Sequence, residues 1–507
     1  MTVFSALGAR GIGAFTVATA LLAWAAPAHT AAADSTAPEP ALQPFYSQTL
    51  EWGPCPGGSA RAQCATLTVP LNYDDPSGRT IDLALLRMPA TGTSQAALVV
   101  NPGGPGAGGL DLAEYLGTVI DSDVRAVYDV VGFDPRGVGR SAPVECMTGA
   151  QTTRWYRTDP TPDTAKERRT LWNRAAAISR GCLADDPLLA ANVGTEATVR
   201  DMDVLRATLG HPTLNWLGFS YGTTLGALYA QEFPTRVGRM VLDGAVDPAL
   251  NAMQISEDQS AGFQQAIQRF AADCAKRSNC VANTQAGVLR NINDLLTRLE
   301  RSPLRTDGTR RLVQAEAITA LFFSMYSTDL WSTLRVGLRE ADKGDGTTLQ
   351  LLAQLANDQT GPNTYGSNIA SAFYAIGCLD YPATPGIAGL RAAAKKWSRG
   401  AAIPQMAEAM SWGNAPCSQW FAHSGTAPAP VTSSTSAPIL IIGTTYDPAT
   451  PYSWSQALSK QLPTSRLLTH RGDGHTVYGD SSVCIDDITD QYLLTGKLPQ
   501  AGTTCTS

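Results

Sequence analysis

A basic surplus is the first thing this sequence lacks: 38 Lys and Arg stand against 44 Asp and Glu, a net charge of −6 over 507 residues. That balance argues against a nucleic-acid partner. Metal-ligand spacings are missing as well. There is no H-E-x-x-H, and the ten cysteines contain no C-x-x-C, so a zinc protease helix, a zinc ribbon and a thioredoxin-like motif are all unsupported. No metal and no other cofactor is expected, and no internal repeat is present. Histidine is scarce, at five residues, which leaves few choices for a general base. A confident membrane span is also missing: the apolar run Gly11–Ala26 is short and rich in small residues.

What is there begins with that run. Arg10 precedes it, and Ala26-Pro-Ala28 and Ala31-Ala-Ala33 both offer a cleavage site of the A-x-A kind. Residues 1–33 are therefore expected to be a signal peptide for the general export route, since no twin arginine occurs. No cysteine precedes Cys55, which disfavours lipid attachment at the cleavage site. An exported protein without stable membrane association is expected, and a monomer. The cysteines agree. They fall into sequence-near pairs, 55 with 64, 146 with 182, 274 with 280, 378 with 417 and 484 with 505, and neighbour disulfides are the simplest pairing in an oxidising compartment.

The centre of the chain is Asn215-Trp-Leu-Gly-Phe-Ser-Tyr-Gly222. An apolar run ends in Gly-x-Ser-x-Gly and a helical segment, Thr223–Glu232, follows at once. Strand, sharp turn and helix make a nucleophile elbow, with Ser220 raised at the turn beside a helix N-terminus. Around it the chain alternates strands and helices. Thr66–Leu71 and Ile81–Arg87 read as an antiparallel hairpin over residues 34–94, and Ala96–Val100, Val127–Phe133, Met240–Asp243, Ile439–Ile442 and Arg466–Thr469 read as buried parallel strands. That pattern is an α/β fold with a mostly parallel sheet covered on both faces. The core spans residues 95–249 and 433–507. Between them, residues 250–432 look helical (Phe263–Ala272, Val288–Leu299, Ala317–Met325 and Leu334–Ala341) and are expected to form an inserted cap over the strand ends. Of cap aromatics such as Phe322, Phe323, Tyr326, Trp331, Phe373, Tyr374, Tyr381, Trp412 and Trp420, most are expected in the core and a few along the substrate cleft.

After the strand Ala96–Val100 comes Asn101-Pro-Gly-Gly-Pro-Gly-Ala-Gly-Gly109, which contains G-x-G-x-x-G at Gly104, Gly106 and Gly109. It reads either as a dinucleotide-binding fingerprint or as an oxyanion loop. Export and the downstream elbow favour the second. This loop, Asp134-Pro-Arg-Gly-Val-Gly-Arg-Ser141, the elbow and Val241-Leu-Asp-Gly-Ala-Val-Asp-Pro248 together resemble the secreted bacterial tripeptidyl aminopeptidases, in the proline-iminopeptidase-like branch of the α/β-hydrolase superfamily. The resemblance runs from about Gln63 to the C-terminus. It implies a serine exopeptidase that releases short peptides from free peptide or protein N-termini, with the Tyr221 and Gly104 backbone N–H groups as oxyanion donors and Gly103 as the near alternative to Gly104. Secreted carboxylesterases share much of the motif set, and a catalytically silent ligand-binding relative is a further reading.

The triad order Ser, Asp, His leaves two acids and one base. His475, in Gly472-Asp-Gly-His-Thr476, follows the strand Arg466–Thr469, where the base belongs. Asp447 follows the strand Ile439–Ile442 and is the expected acid; Asp247, after Met240–Asp243, is the alternative. An exopeptidase also needs a carboxylate for the substrate ammonium. Asp380, in a Cys-x-Asp resembling one in relatives, and Glu316 are the two cap candidates, although Asp380 reads equally well as a turn residue.

Overall fold

The computed structural model describes residues 39–381, 385–422, 427–433 and 437–506. The expected signal peptide over 1–33, together with His29 and His423, lies outside the described residues. Residues from Ala41 onward form one compact unit.

Its framework is a sheet of ten strands. In chain order these are β1 (Gly53–Pro54), β2 (Gln63–Pro70), β3 (Thr80–Met88), β4 (Ala96–Asn101), β5 (Tyr128–Phe133), β6 (Leu214–Phe219) and β7 (Val237–Asp243). A separate small hairpin, β8 (Gln359–Gly361) and β9 (Thr364–Tyr365), precedes β10 (Ile439–Tyr446), β11 (Ser465–Asp473) and β12 (Thr504–Thr506). The order across the large sheet is β1-β2-β3-β5-β4-β6-β7-β10-β11-β12. β1, β2, β3 and β5 pair antiparallel, and from β5 to β12 every pairing is parallel. The chain is an α/β protein with the α/β-hydrolase type of sheet, antiparallel at one edge and parallel beyond it.

The central strands β4, β5, β6, β7 and the first half of β10 are mostly apolar because both faces of the sheet are covered there. In β4, Ala97 and Val99 enter one core with Trp216 and Leu242, while Leu98 and Val100 enter another with Leu217 and Ile442. Helices Thr195–Thr208 and Tyr221–Glu232 cover the first face, and Gly109–Val119 and Val483–Thr495 the second.

Between β7 and β10 the described residues hold eight α-helices, from Ala252–Cys274 to Pro404–Trp412. The first starts at a capping box, Asn251 with Gln254. Gln285–Arg301 buries Val288, Ile292, Leu295, Leu296 and Leu299, the three-and-four spacing of one helical face. This segment has its own apolar core, built on Phe263, Ile267, Phe270, Leu296, Leu321 and Leu338. Among the described residues no helix is long and apolar enough to cross a membrane.

The C-terminal edge differs from expectation. The strand beginning near Arg466 runs past Thr469 to Asp473, and it is not the last, because β12 pairs with it (Thr469 opposite Thr504). Three residues carry too little pattern to be seen, and Cys505 holds them through its bridge to Cys484. All ten cysteines are paired as neighbours in sequence.

Candidate active site

β6 delivers Ser220 to the parallel strand ends at φ 53° and ψ −121°, outside the regions L-residues favour, and the helix Tyr221–Glu232 starts at the next residue. The motif glycines are required by space. A Cβ on Gly218 would lie 2.3 Å from Gly222 O, and one on Gly222 would lie 2.9 Å from Asn101 O. Hydrogen bonds lock the turn: Ser220 N–H donates to Asp243 O (2.9 Å), Trp216 Nε1–H to Gly222 O (3.0 Å) and Thr223 Oγ1–H to Ser220 O (2.6 Å).

The glycine-rich loop packs directly on this turn. A Cβ on Gly103 (φ +95°) would stand 2.5 Å from Phe219 O and 2.9 Å from Tyr221 N. The Gly103 N–H is already given to Asn101 Oδ1 at 2.9 Å.

β10 and β11 bring the next pair together. His475 Nδ1 lies 2.9 and 3.0 Å from the two oxygens of Asp447. Asp447 is 3% exposed, and it also accepts from Ala449 N–H (2.9 Å), Thr450 N–H (2.8 Å) and Thr450 Oγ1 (3.0 Å). A carboxylate so placed fixes the imidazole proton on Nδ1 and leaves Nε2 as the acceptor. Burial works to lower the His475 pKa, but the Asp447 charge and hydrogen bond, helped by Asp243, outweigh it, and the net direction is upward. The alternative acid, Asp247, is not brought to His475; its Oδ1 accepts from Ala249 N–H (3.0 Å) and Gln461 Nε2 (2.7 Å).

The helical segment reaches this centre through contacts that no sequence pattern announces. The Tyr326 backbone carbonyl accepts the His475 backbone N–H at 2.8 Å, and the Tyr326 ring meets the imidazole edge-on with centroids 5.2 Å apart. Arg269 ion-pairs with Asp473, two residues before His475, and lies over the Tyr446 ring at 3.5 Å. In the sequence Tyr326 is one of the cap aromatics with nothing to single it out, and Arg269 carries no distinguishing signal.

The two carboxylates expected for a substrate ammonium are placed very differently. Asp380 accepts from Thr195 N–H (2.9 Å) and from Thr195 Oγ1, which also contacts Tyr221 Oη, the residue after Ser220. It lines a cavity of about 230 Å³ together with Thr224, Leu228, Tyr381 and Val431. Burial pushes its carboxyl up to about 6 against the Thr195 hydrogen bonds. Glu316, by contrast, is 5% exposed at the start of the helix Gln314–Ser324. It is ion-paired with Arg157 and accepts from Val313 N–H (3.1 Å) and Gln350 Nε2 (3.4 Å), and none of these partners belongs to the Ser220, Asp447 and His475 group.

A sequence-family model described as "TAP-like protein" matches residues 403–505, the part carrying Asp447 and His475. Serine protease Hip1 of Mycobacterium tuberculosis is 36% identical over 490 residues, 91% of this chain and 92% of that protein. Carboxylesterase B of the same species is 36% identical over 458 residues, 88% of this chain and 86% of the relative. Tripeptidyl aminopeptidase of Streptomyces lividans is 32% identical over 458 residues, covering 87% and 83%.

Proposed function

This chain belongs to the α/β-hydrolase family that contains serine protease Hip1 and the tripeptidyl aminopeptidases, and we propose that it is an exported exopeptidase releasing short peptides, tripeptides foremost, from free N-termini. Serine peptidase chemistry comes with the family. The observation that carries the residue roles is the His475–Asp447 pair on the strands that follow the Ser220 elbow.

In this reading His475 Nε2 takes the Ser220 proton as Oγ attacks the scissile carbonyl, and Asp447 orients the imidazole and offsets its new charge. The imidazolium then gives the proton to the leaving amine, and water attacking the acyl-enzyme reverses the sequence. The oxyanion goes to the Tyr221 and Gly104 N–H groups. Gly104 is chosen over Gly103 because the Gly103 N–H is spent on Asn101. Export is supported by the five disulfides, which need an oxidising compartment.

Asp380 is the carboxylate we assign to the substrate ammonium. Two hydrogen bonds through Thr195 join it to Tyr221, next to the nucleophile, and an extended tripeptide spans only about 10 Å. With its carboxyl up to about 6 and a peptide ammonium near 8, the pair is fully charged only between those values. KM for a free tripeptide therefore passes through a minimum there. Glu316 is not retained, since Arg157 already neutralises it.

The test is a tripeptide on a chromogenic amine, free or N-acetylated. Losing the charge-assisted contact removes about 1.5–3 kcal/mol, roughly ten- to a hundredfold in kcat/KM. Ser220→Ala abolishes both turnover and labelling by a fluorophosphonate. The second reading, a carboxylesterase, is favoured by the 36% identity to Carboxylesterase B. Equal rates on the two peptides with faster turnover of short acyl esters would establish it instead.

A further inference from the structure

Asp243 ends β7 and belongs to neither of the pairs described above, yet it touches both halves of the centre. Its backbone carbonyl accepts the Ser220 N–H at 2.9 Å. Its carboxylate Oδ2 accepts the N–H groups of Val477 (2.9 Å) and Tyr478 (2.8 Å), the second and third residues after His475. The residue is 0% exposed, and Oδ1 has no hydrogen-bond partner among the described residues. Gly244 continues the contact, since a Cβ there would lie 3.2 Å from His475 Cε1.

Two backbone amides ask only for a neutral acceptor. A buried carboxyl with one oxygen left over is a costly way to supply it. That cost is offset when a positive charge forms nearby, which is what happens to His475 as it takes the serine proton. The other titratable and charged groups near the imidazole are Asp447 on Nδ1, the Tyr326 ring and, two residues upstream, the Asp473–Arg269 pair; the neutral Thr450 hydroxyl lies 3.3 Å from Nδ1. Apart from Asp447, none of these offers an unneutralised buried anion.

We propose that Asp243 is a positioning residue, holding the His475 loop at a fixed distance from the Ser220 elbow and supplying a second buried anion beside the imidazole. This rests on the reading of Ser220, Asp447 and His475 as the catalytic group. Burial raises the Asp243 carboxyl to about 6 against the Tyr478 and Val477 amide bonds and His475, so at neutral pH it is largely ionised.

Asp243→Asn and Asp243→Ala separate the two parts. Asparagine keeps an oxygen for the Val477 and Tyr478 amides and removes only the charge; alanine removes both. For Asp243→Asn, kcat falls about tenfold with KM nearly unchanged. The acid limb of kcat/KM moves to lower pH by at least about half a unit, because a negative neighbour that favoured the imidazolium is gone. In the native protein that limb belongs to the coupled Asp243–His475 system. For Asp243→Ala, kcat falls about a hundred- to a thousandfold, as the base loop loses its register. A merely structural role would lower the melting temperature without moving the limb. If Ser220→Ala is inactive while Asp243→Asn keeps the native kcat and the native limb, the Asp243 proposal is overturned and the triad stands. If Ser220→Ala is active, both fall together.

Discussion

Ser220 holds a conformation that costs an L-residue roughly 1–3 kcal/mol, and the surrounding bonds from Trp216, Thr223 and Asp243 over-determine it. A hydroxyl held at that turn needs a neutral base. Burial tends to lower the His475 pKa, but Asp447 and then Asp243 raise it above its ordinary value. The acid limb of kcat/KM is therefore centred above the ordinary imidazole value of about 6.5, with activity lost as pH falls through it. Asp447→Asn should cost several orders of magnitude in kcat and shift that limb downward. Asp247→Asn should stay within about threefold, since an amide oxygen still serves Ala249 and Gln461. The reverse ranking in folded variants would transfer the acid role to Asp247. At this scale, legibility depended on local pattern. Ser220 sits in a motif, and His475 and Asp447 follow strands recognisable by their apolar runs. Asp243, Tyr326 and Arg269 act through contacts across more than a hundred residues, and nothing local marks them. The pairing of Glu316 with Arg157 is equally unmarked, because the two residues lie 159 positions apart.

The elements were legible where burial repeats with a period, and illegible where a single distant contact decides. The loop after β5 shows both. Its Asp134-Pro-Arg136 was recognisable as a motif, but its physical purpose appears only in the fold. Arg136 is fully buried and gives its N–H groups to both oxygens of Asp201 (2.7 Å each) and to the carbonyls of Leu71 (2.7 Å), Asn192 (2.9 Å) and Pro70 (3.0 Å). Tyr73 Oη adds a bond to Asp201 at 2.8 Å. One side chain thus ties the end of β2 to the helix Thr195–Thr208, whose first residue contacts Asp380. Removing it strands a buried carboxylate. Arg136→Met should lower unfolding free energy by about 3–5 kcal/mol, whereas a variant that also replaces Asp201 with Leu should recover much of that loss. Denaturant midpoints test this. An unchanged midpoint for Arg136→Met would mean that the pair does not organise the loop. The glycine-rich loop teaches the same lesson. Gly109 lies so close to β5 that an added Cβ would be 2.3 Å from Phe133 O. Close helix–strand packing of that kind is also what the third glycine of a dinucleotide fingerprint provides, which is why the two motifs coincide in sequence.

On the scale of the whole molecule, two cores flank the sheet and a third lies within the helical segment, and five bridges staple the chain without linking distant parts of it. The bridges close loops of 9, 36, 6, 39 and 21 residues. Loop-closure entropy grows only with the logarithm of length, so the bridges are unequal but comparable. Cys378–Cys417 should contribute about 3–4 kcal/mol and Cys274–Cys280 about 2 kcal/mol. The longer bridge also carries a functional consequence. Cys378 and Asp380 share the last turn of the helix Ile369–Asp380, so the disulfide fixes the end of the helix that presents the carboxylate we assign to the substrate ammonium. Replacing Cys378 and Cys417 together by serine should therefore do two things at once. It should lower the denaturant midpoint more than the Cys274 and Cys280 double replacement does. It should also raise KM for the free tripeptide while leaving the rate of fluorophosphonate labelling at Ser220 near native, because the elbow, His475 and Asp447 are held by β6, β10 and β11. A raised KM for the free peptide and an unchanged KM for its acetylated form would tie the effect to the ammonium. If KM rises equally for both, or labelling slows in step with it, Asp380 is no ammonium site and the bridge serves stability alone.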